Sequence, residues 1–300
     1  MEEKKINGTS APKILLPIDF GEYFEKAGNI ALDFALHLNA ELTILHVYFC
    51  QSISTMPFQD AYIYDTGLDE VEHDLDEQAE EEMKIFVAKM QEKNLSKENP
   101  IKIKHHLLKG VPEDEILQFS KEYEPSMIIM GTRGKNRKLI DLIGSVTAEV
   151  MEKAKVPVMA IPEDFDYHGI DKINNILYVT NYEITDFVAL KKLVSIVQPL
   201  DLKIFFVNLG LNKYKRWDLL QMDSLKKYVE KLVPNADVIC DMIEADDFWT
   251  GLEKYIQNNK IDIISLTTHR RNLVSRLLYP SIGKKMLYQT TTPLLVFHDE

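Results

Sequence analysis

The chain has 300 residues, close to twice the usual size of one domain, and its 45% hydrophobic and 27% charged content exclude a disordered or fibrous protein. Its formal net charge of −12 disfavours nucleic acid as a partner. Residues 1–12 lack the apolar core of a signal peptide and no apolar run approaches a membrane span, so a cytoplasmic location without membrane contact is expected.

Strands and helices alternate along the first half of the chain. Short apolar runs predict five strands, and apolar residues spaced by three and four predict the helices between them. The strands are expected at 13–19, 42–49, 101–107, 127–130 and 156–161, and the helices at 22–39, 68–94, 112–123 and 145–153. The acidic run of the second helix indicates a solvated face. Such alternation predicts an α/β fold with a mostly parallel sheet and helices on both faces.

The same pattern restarts in the second half. We expect an N-terminal domain at 1–162, a polar linker at 163–172 and a C-terminal domain at 173–300. From the third helix onward a single offset of 136 aligns the halves, pairing Ile128 with Ile264 and Pro157 with Pro293. One offset over that length predicts an internal duplication.

A group of glycines surrounds the junction between the fourth strand and the fourth helix. Gly131 and Gly134 follow the strand, and Gly144 and Ser145 open the helix. Glycine allows a sharp turn and a close approach to a ligand, and a helix N-terminus attracts anions. In open parallel sheets ligands bind beyond the carboxyl ends of the strands, where Asp19 also falls. A lone glycine is better explained by turns or packing, but three with a serine predict a phosphate site.

Neither common nucleotide motif fits these residues. In a P-loop Ser or Thr would follow the lysine, whereas Asn136 follows Lys135, and a dinucleotide fingerprint would need glycines after the first strand. No hydrolase or metalloprotease motif occurs. Because His105 and His106 are adjacent on a predicted strand, their side chains point to opposite faces and should not share a metal. We therefore expect neither a catalytic residue nor a metal held by the protein.

The complete motif G-x2-G-x9-G-S, which begins at Gly131, closely resembles that of the universal stress protein family. Further matching segments lie at 15–20, 45–47 and 156–158, and the resemblance extends over both halves. It implies sheets of order 3-2-1-4-5, as in the adenine nucleotide alpha hydrolase-like fold. In the nucleotide-binding branch of the family, it also implies ATP, or AMP or ADP, between the loops after the first and fourth strands.

The resemblance also assigns individual contacts. Asp19 would meet the ribose and adenine side of the nucleotide, and the backbone of Val47 the adenine edge. Met130 and Gly131 would line the ribose region. The phosphates would be surrounded by Arg133, Gly134, Gly144, Ser145 and Val146. Magnesium would be held mainly by the phosphates, because no carboxylate cluster is evident in the sequence.

The second half departs from the motif at its diagnostic positions. Alignment of the halves places Asn181, Thr267, Arg270 and Pro280 where the first half has Asp19, Gly131, Gly134 and Gly144, and only Ser281 keeps its type. Side chains at the glycine positions would crowd a phosphate, and proline removes a backbone donor. No nucleotide is expected in this half.

The fifth strands of both halves should lie at sheet edges, which invite pairing. In the family this edge is a dimer contact, so the two domains are expected to pack as an intrachain pseudo-dimer, and two chains to form a homodimer. The resemblance implies an ATP-binding stress-response or signalling module. A slow ATP hydrolase and an interaction scaffold that binds no nucleotide are the alternatives.

Overall fold

The computed structural model describes residues 11–21, 23–49, 65–132, 144–180, 184–197, 202–210, 216–232, 237–244, 248–268 and 291–298. Two of the predicted contact residues, Arg133 and Gly134, lie outside these ranges. So do Asn181, Arg270 and Pro280 of the second half.

Ten strands of the described ranges form a single sheet. Those of the first half are β1 (Lys13–Ile18), β2 (Glu41–Tyr48), β3 (Ile103–Lys109), β4 (Met127–Gly131) and β5 (Val158–Ile161). Those of the second half are β6 (Asn175–Val179), β7 (Lys203–Gly210), β8 (Asp237–Glu244), β9 (Ile263–Thr268) and β10 (Leu294–His298). Their order in the sheet is β3-β2-β1-β4-β5-β10-β9-β6-β7-β8.

Seven α-helices connect these strands within the described ranges. The first half has α1 (Phe24–His37), α2 (Asp65–Leu95), α3 (Pro112–Tyr123) and α4 (Ser145–Lys153). The second half has α5 (Ile184–Val197), α6 (Arg216–Leu232) and α7 (Phe248–Asn259), preceded by a short 3₁₀ turn at Ile170–Lys172. None of the described helices has both the length and the apolar composition needed to cross a bilayer.

Each half has the strand order 3-2-1-4-5, with all five strands parallel. This confirms the predicted α/β fold. The two halves join where β5 and β10 pair antiparallel, with Met159 opposite Leu295. The two strands predicted to lie at sheet edges therefore pair with each other within the chain, and strand direction reverses at this junction.

Equivalent backbone hydrogen bonds recur in the two halves at the predicted offset. Ile128 N donates to Pro157 O at 2.8 Å, and Ile264 N donates to Pro293 O at 2.9 Å. Both bonds link the fourth strand of a half to the residue before its fifth strand. The two halves thus share local geometry as well as strand order, as a duplication predicts.

The sheet has one hydrophobic core on each face. In the first half, α1 and α2 pack on one face and α3 and α4 on the other. Helix α2 has an apolar face and an acidic face. Met83, Phe86 and Met90 are buried, while Glu80 and Glu81 are exposed. The acidic face is solvated as expected, and the opposite face completes the core.

The segment expected to be a linker packs against α1. Lys26 Nζ donates to Phe165 O at 2.9 Å, and the Tyr167 hydroxyl donates to Asp33 Oδ2 at 2.8 Å. Burial and the neighbouring Asp33 carboxylate raise the pKa of Tyr167. The Phe165 carbonyl and the Tyr167 hydroxyl thus attach this polar segment to the first half.

Candidate functional site

A cavity of about 560 Å³ lies at the carboxyl ends of β1, β2 and β4. The structure brings seven of the nine predicted contact residues into its wall: Asp19, Val47, Met130, Gly131, Gly144, Ser145 and Val146. The other two belong to the part of the chain outside the described ranges. These residues meet because β1 pairs with β2 on one side and β4 on the other, so that the three strand ends are neighbours.

A tight turn after β1 sets the position of Asp19. Gly21 N donates to Asp19 Oδ1 at 3.1 Å, which is a local side-chain turn of the kind that Asp favours. Phe20, between them, has a φ of 53°, an uncommon value for a bulky residue. The centroid of its ring lies 4.5 Å from the ring centroid of His46 and 5.4 Å from that of Phe24. Packing of Phe20 therefore holds the turn that presents the Asp19 carboxylate.

His46 links the ends of two neighbouring strands below the cavity. It is only 8% exposed, and its Nδ1 donates to Ile18 O at 2.8 Å. This agrees with a hydrogen-bonded core role. Beyond it, the Tyr48 hydroxyl donates to Asp76 Oδ1 at 2.8 Å, which attaches α2 to β2. Burial, together with that carboxylate, raises the pKa of Tyr48 to about 12, so the hydroxyl keeps its proton.

The backbone alone does not require glycine at Gly131 or Gly144. Gly144 has φ −60° and ψ 152°, which any residue adopts, and positive φ angles among the described glycines occur at Gly110 and Gly169 instead. The expectation of a sharp glycine turn is therefore not met at these two positions. What glycine supplies is the absence of a side chain at the cavity wall, which leaves room for a ligand.

Two helices begin at the cavity, and they differ in charge. Helix α3 contributes Pro112 and Ile116 to the wall and has Glu113, Asp114 and Glu115 in its first turn. Helix α4 begins after Gly144, has no acidic residue in its first turn and no side-chain cap. Its first N–H groups lack acceptors inside the helix. The N-terminus of α4, unlike that of α3, is thus a positive helix end without carboxylates of its own.

Sequence reasoning missed one wall of the cavity. It is formed by α1 and α2 through Phe24, Ala27, Leu75, Gln78, Ala79 and Glu82. The α2 residues follow a spacing of three and four, which places them on one helix face. That spacing was the available signal, but the acidic composition of the helix obscured it. Thr147, in the first turn of α4, is a further wall residue that the motif did not indicate.

Charged groups at the described wall are few. Asp19 and Glu82 are its carboxylates, and no lysine or arginine is among its described residues. No cluster of three or more His, Cys, Asp or Glu side chains suited to a metal ion occurs in the described ranges.

The corresponding place in the second half contains side chains. Thr267, which aligns with Gly131, is 4% exposed, and its hydroxyl is hydrogen-bonded to the hydroxyl of Tyr178. Tyr178 is fully buried against Phe206. A side chain with a buried partner thus stands at the one aligned glycine position that the structure describes.

Comparison with known proteins finds a family that matches the first half of the chain. Its sequence model, described as the universal stress protein family, matches residues 11–162. Universal stress protein MJ0577 of Methanocaldococcus jannaschii is 31% identical over 156 residues, which cover 50% of this chain and 93% of that protein. Universal stress protein MJ0531 of the same organism is 28% identical over 149 residues, covering 50% of this chain and 81% of that protein.

The fold of the whole chain is also found in a solved structure. A universal stress protein from Archaeoglobus fulgidus superposes with a TM-score of 0.70, covers 96% of both chains and is 18% identical. At this identity the likeness concerns the fold alone. It extends over both halves, whereas the family's sequence model and the two archaeal relatives match about half of the chain. The chain belongs to the universal stress protein family.

Proposed function

We propose that the first half binds an adenine nucleotide, with ATP as the principal ligand, and that the protein is a stress-response or signalling module whose contacts with partners change on binding. One observation carries the proposal: the seven described residues of the predicted contact set line a single cavity of suitable size. The proposed contact set is Asp19, Val47, Met130, Gly131, Arg133, Gly134, Gly144, Ser145 and Val146.

The two helix starts favour one orientation of the nucleotide. Phosphates belong at α4, because its positive end has no acidic side chain, whereas α3 already has three acidic residues. The base then lies toward β2, where Val47 and the α2 residue Ala79 give an apolar surface. The Asp19 carboxylate, a hydrogen-bond acceptor, suits the ribose hydroxyls between them.

Magnesium is compatible with this arrangement only as a partner of the phosphates. The described wall has two carboxylate residues, Asp19 and Glu82, and no cluster of three or more metal-ligating side chains occurs in the described ranges. Mg²⁺ commonly retains water and binds phosphate oxygens at such sites. We therefore propose that the ion arrives with ATP and neutralises part of its charge.

We further propose that residues 1–162 and 173–300 are two domains of a duplication, joined by 163–172, and that the second binds no nucleotide. The Thr267 side chain with its buried Tyr178 partner supports this, since Gly131 occupies that position in the first half. The β5–β10 pairing would serve as the intrachain counterpart of the family's dimer contact. A cytoplasmic location and a homodimer of two such chains complete the proposal.

The test begins with the purified protein and mass spectrometry of any nucleotide released on denaturation. Calorimetric titration with ATP, ADP and AMP in the presence of Mg²⁺ should then give one site per chain, and Gly144→Val should abolish it. Two sites per chain would contradict a degenerate second half. Binding of none of the three nucleotides would favour the scaffold alternative.

A second measurement separates a binding module from a slow ATP hydrolase. The protein is incubated with excess ATP and Mg²⁺, and the ADP formed is measured relative to the amount of protein, over a time long enough for many turnovers. Retention of ATP supports the binding module. Sustained ADP formation that Gly144→Val abolishes would favour the hydrolase, for which no general base has been identified among the described residues.

A further inference from the structure

A buried threonine connects the two elements that form the proposed phosphate site. The Thr147 hydroxyl, in the first turn of α4, donates to the carbonyl oxygen of Gly131 at 2.8 Å. Thr147 is 4% exposed, and Gly131 is the last residue of β4. The bond therefore crosses from the start of a helix to the end of a strand at the wall of the cavity.

A backbone bond reinforces the same junction. Gly144 N donates to Thr132 O at 2.5 Å, and Thr132 N in turn donates to Ile161 O at 2.9 Å. Together with the bond from Thr147, these contacts hold Gly144 and the first turn of α4 next to the end of β4. The relative position of the strand end and the helix N-terminus is thus set by these hydrogen bonds.

The Thr147 hydroxyl does not cap its own helix. Near a helix N-terminus Thr commonly bonds to backbone of its own helix, but here the hydroxyl bonds to another element. The offset of 136 places Gly283 at the corresponding position of the second half, which has the same strand order without this hydroxyl. The bond distinguishes the half with the complete glycine motif from the half without it.

We infer that Thr147 is a positioning residue for the phosphates of the bound nucleotide. By fixing Gly131 relative to the first turn of α4, it holds the donors of the helix N-terminus at a set distance from the ribose side of the cavity. A site that is already ordered loses less on binding than one that must be ordered by its ligand. This inference rests on the proposed adenine-nucleotide site and deepens it.

The inference requires an effect that depends on phosphate. Thr147→Val keeps the shape of the side chain but removes the donor, so α4 is no longer tied to Gly131. We expect ATP affinity to fall about tenfold, the equivalent of one ordinary hydrogen bond. Adenosine, which has no phosphate to place at α4, should bind within twofold of its original affinity, a difference below about half a kcal/mol.

A matched control exists elsewhere in the first half. Thr43 is fully buried, and its hydroxyl donates to the Tyr123 hydroxyl at 2.8 Å. It precedes the wall residue Val47 by four positions in β2, or about 13 Å along the strand. Thr43→Val thus removes a comparable buried hydroxyl without touching the cavity.

The experiment compares the full chain with Thr147→Val, Thr147→Ser and Thr43→Val by calorimetric titration with ATP and with adenosine, alongside thermal unfolding without ligand. Support consists of a loss specific to ATP in Thr147→Val, recovery in Thr147→Ser and unchanged binding in Thr43→Val. Equal losses of ATP and adenosine, an unchanged ATP affinity, or an equal ATP loss in Thr43→Val would each overturn the inference alone. If the unaltered chain binds neither ligand, the proposed function fails and the inference fails with it.

Discussion

His298, in the last strand of the second half, donates a hydrogen bond from Nε2 to the carbonyl oxygen of Met151 at 2.7 Å. Met151 lies in the last turn of α4, the helix whose first turn borders the cavity. The free carbonyls of a helix C-terminus need such partners. The second half therefore completes the helix on which the proposed phosphate site of the first half depends.

This contact predicts a dependence of stability on pH. Burial lowers the pKa of His298 from its usual 6.5, and the positive charge of Lys192 acts in the same direction, while the hydrogen bond to Met151 O opposes them. Between the folded and unfolded pKa values the unfolded state binds more protons, so stability falls as pH drops through and below 6.5. His298→Gln retains an amide donor but does not titrate, so its free energy of unfolding should vary less between pH 7.5 and pH 5.5 in urea titrations.

Other histidines also contribute to the pH dependence of stability, and one of them provides a control variant. Burial also lowers the pKa of His37 and of His106, so the unaltered chain and His298→Gln should both lose stability in acid, by different amounts. His106→Gln, on β3 and away from the junction, should leave the contribution of His298 in place. Identical pH profiles for the unaltered chain and His298→Gln would contradict the prediction.

Gly144→Ala should separate binding from stability. The backbone angles of Gly144, φ −60° and ψ 152°, suit alanine, but Gly144 is the N-cap of α4, where alanine is less favourable than glycine. This cost should offset the gain from a less flexible unfolded chain, so the free energy of unfolding should change by less than about 1 kcal/mol. The added methyl group enters the cavity wall, so ATP affinity should fall by about tenfold or more, as expected for a steric loss of 1.4 kcal/mol. Calorimetry and urea unfolding measure the two effects, and a stable variant that binds ATP normally would show that glycine is not needed for the ligand.

Glu82→Gln should strengthen the binding of ATP. Glu82 is one of the two carboxylate residues at the wall, and its charge opposes that of the phosphates. Removing it should tighten ATP binding by about threefold at low salt and less at high salt, because salt screens the repulsion. Adenosine binding should change little. Glu81→Gln, on the exposed side of the same helix, is the matched control, and an equal effect in both variants would exclude a local cause.

Gly28→Ala should weaken the packing of α1 on α2. A methyl group on Gly28 would lie 2.7 Å from Phe86 Cζ, and Phe86 is only 3% exposed, so its ring has little room to move. Overpacking should exceed the gain in helix propensity, lowering the free energy of unfolding by about 1 kcal/mol net. In Gly28→Ala with Phe86→Leu the strain should be relieved, giving a coupling of at least about 0.5 kcal/mol in a double-mutant cycle. Additive losses would contradict the steric explanation.

Local signals predicted the bounds of α3 and α4 better than those of β3. The bounds of α3 and α4 agree with expectation, because Pro112 begins one helix and Gly144 immediately precedes the other. Strand β3 was expected at 101–107 but runs from Ile103 to Lys109. Just before the strand, Asn94 Oδ1 accepts a hydrogen bond from Ile101 N at 2.9 Å, a side-chain contact that the hydrophobic pattern cannot reveal.

The sequence predicted the residues of the candidate site that belong to the glycine motif. It did not predict the residues that reach the cavity through the packing of helices on the sheet. Gly131 and Gly144 were identified because glycine at a strand-to-helix junction has a specific physical use. The α2 wall depends on how a long helix lies across β2 and β3, which no local pattern specifies. Thr147 lies within three residues of the motif, but only the folded chain shows that its hydroxyl reaches Gly131.

The reversal of strand direction between β5 and β10 gives the molecule two unlike poles. Carboxyl ends of β1–β5 lie at one pole beside amino ends of β6–β10, and the reverse holds at the other. The cavity therefore lies at the pole where the second half has the amino ends of its strands, and the corresponding strand ends of the second half lie at the opposite pole.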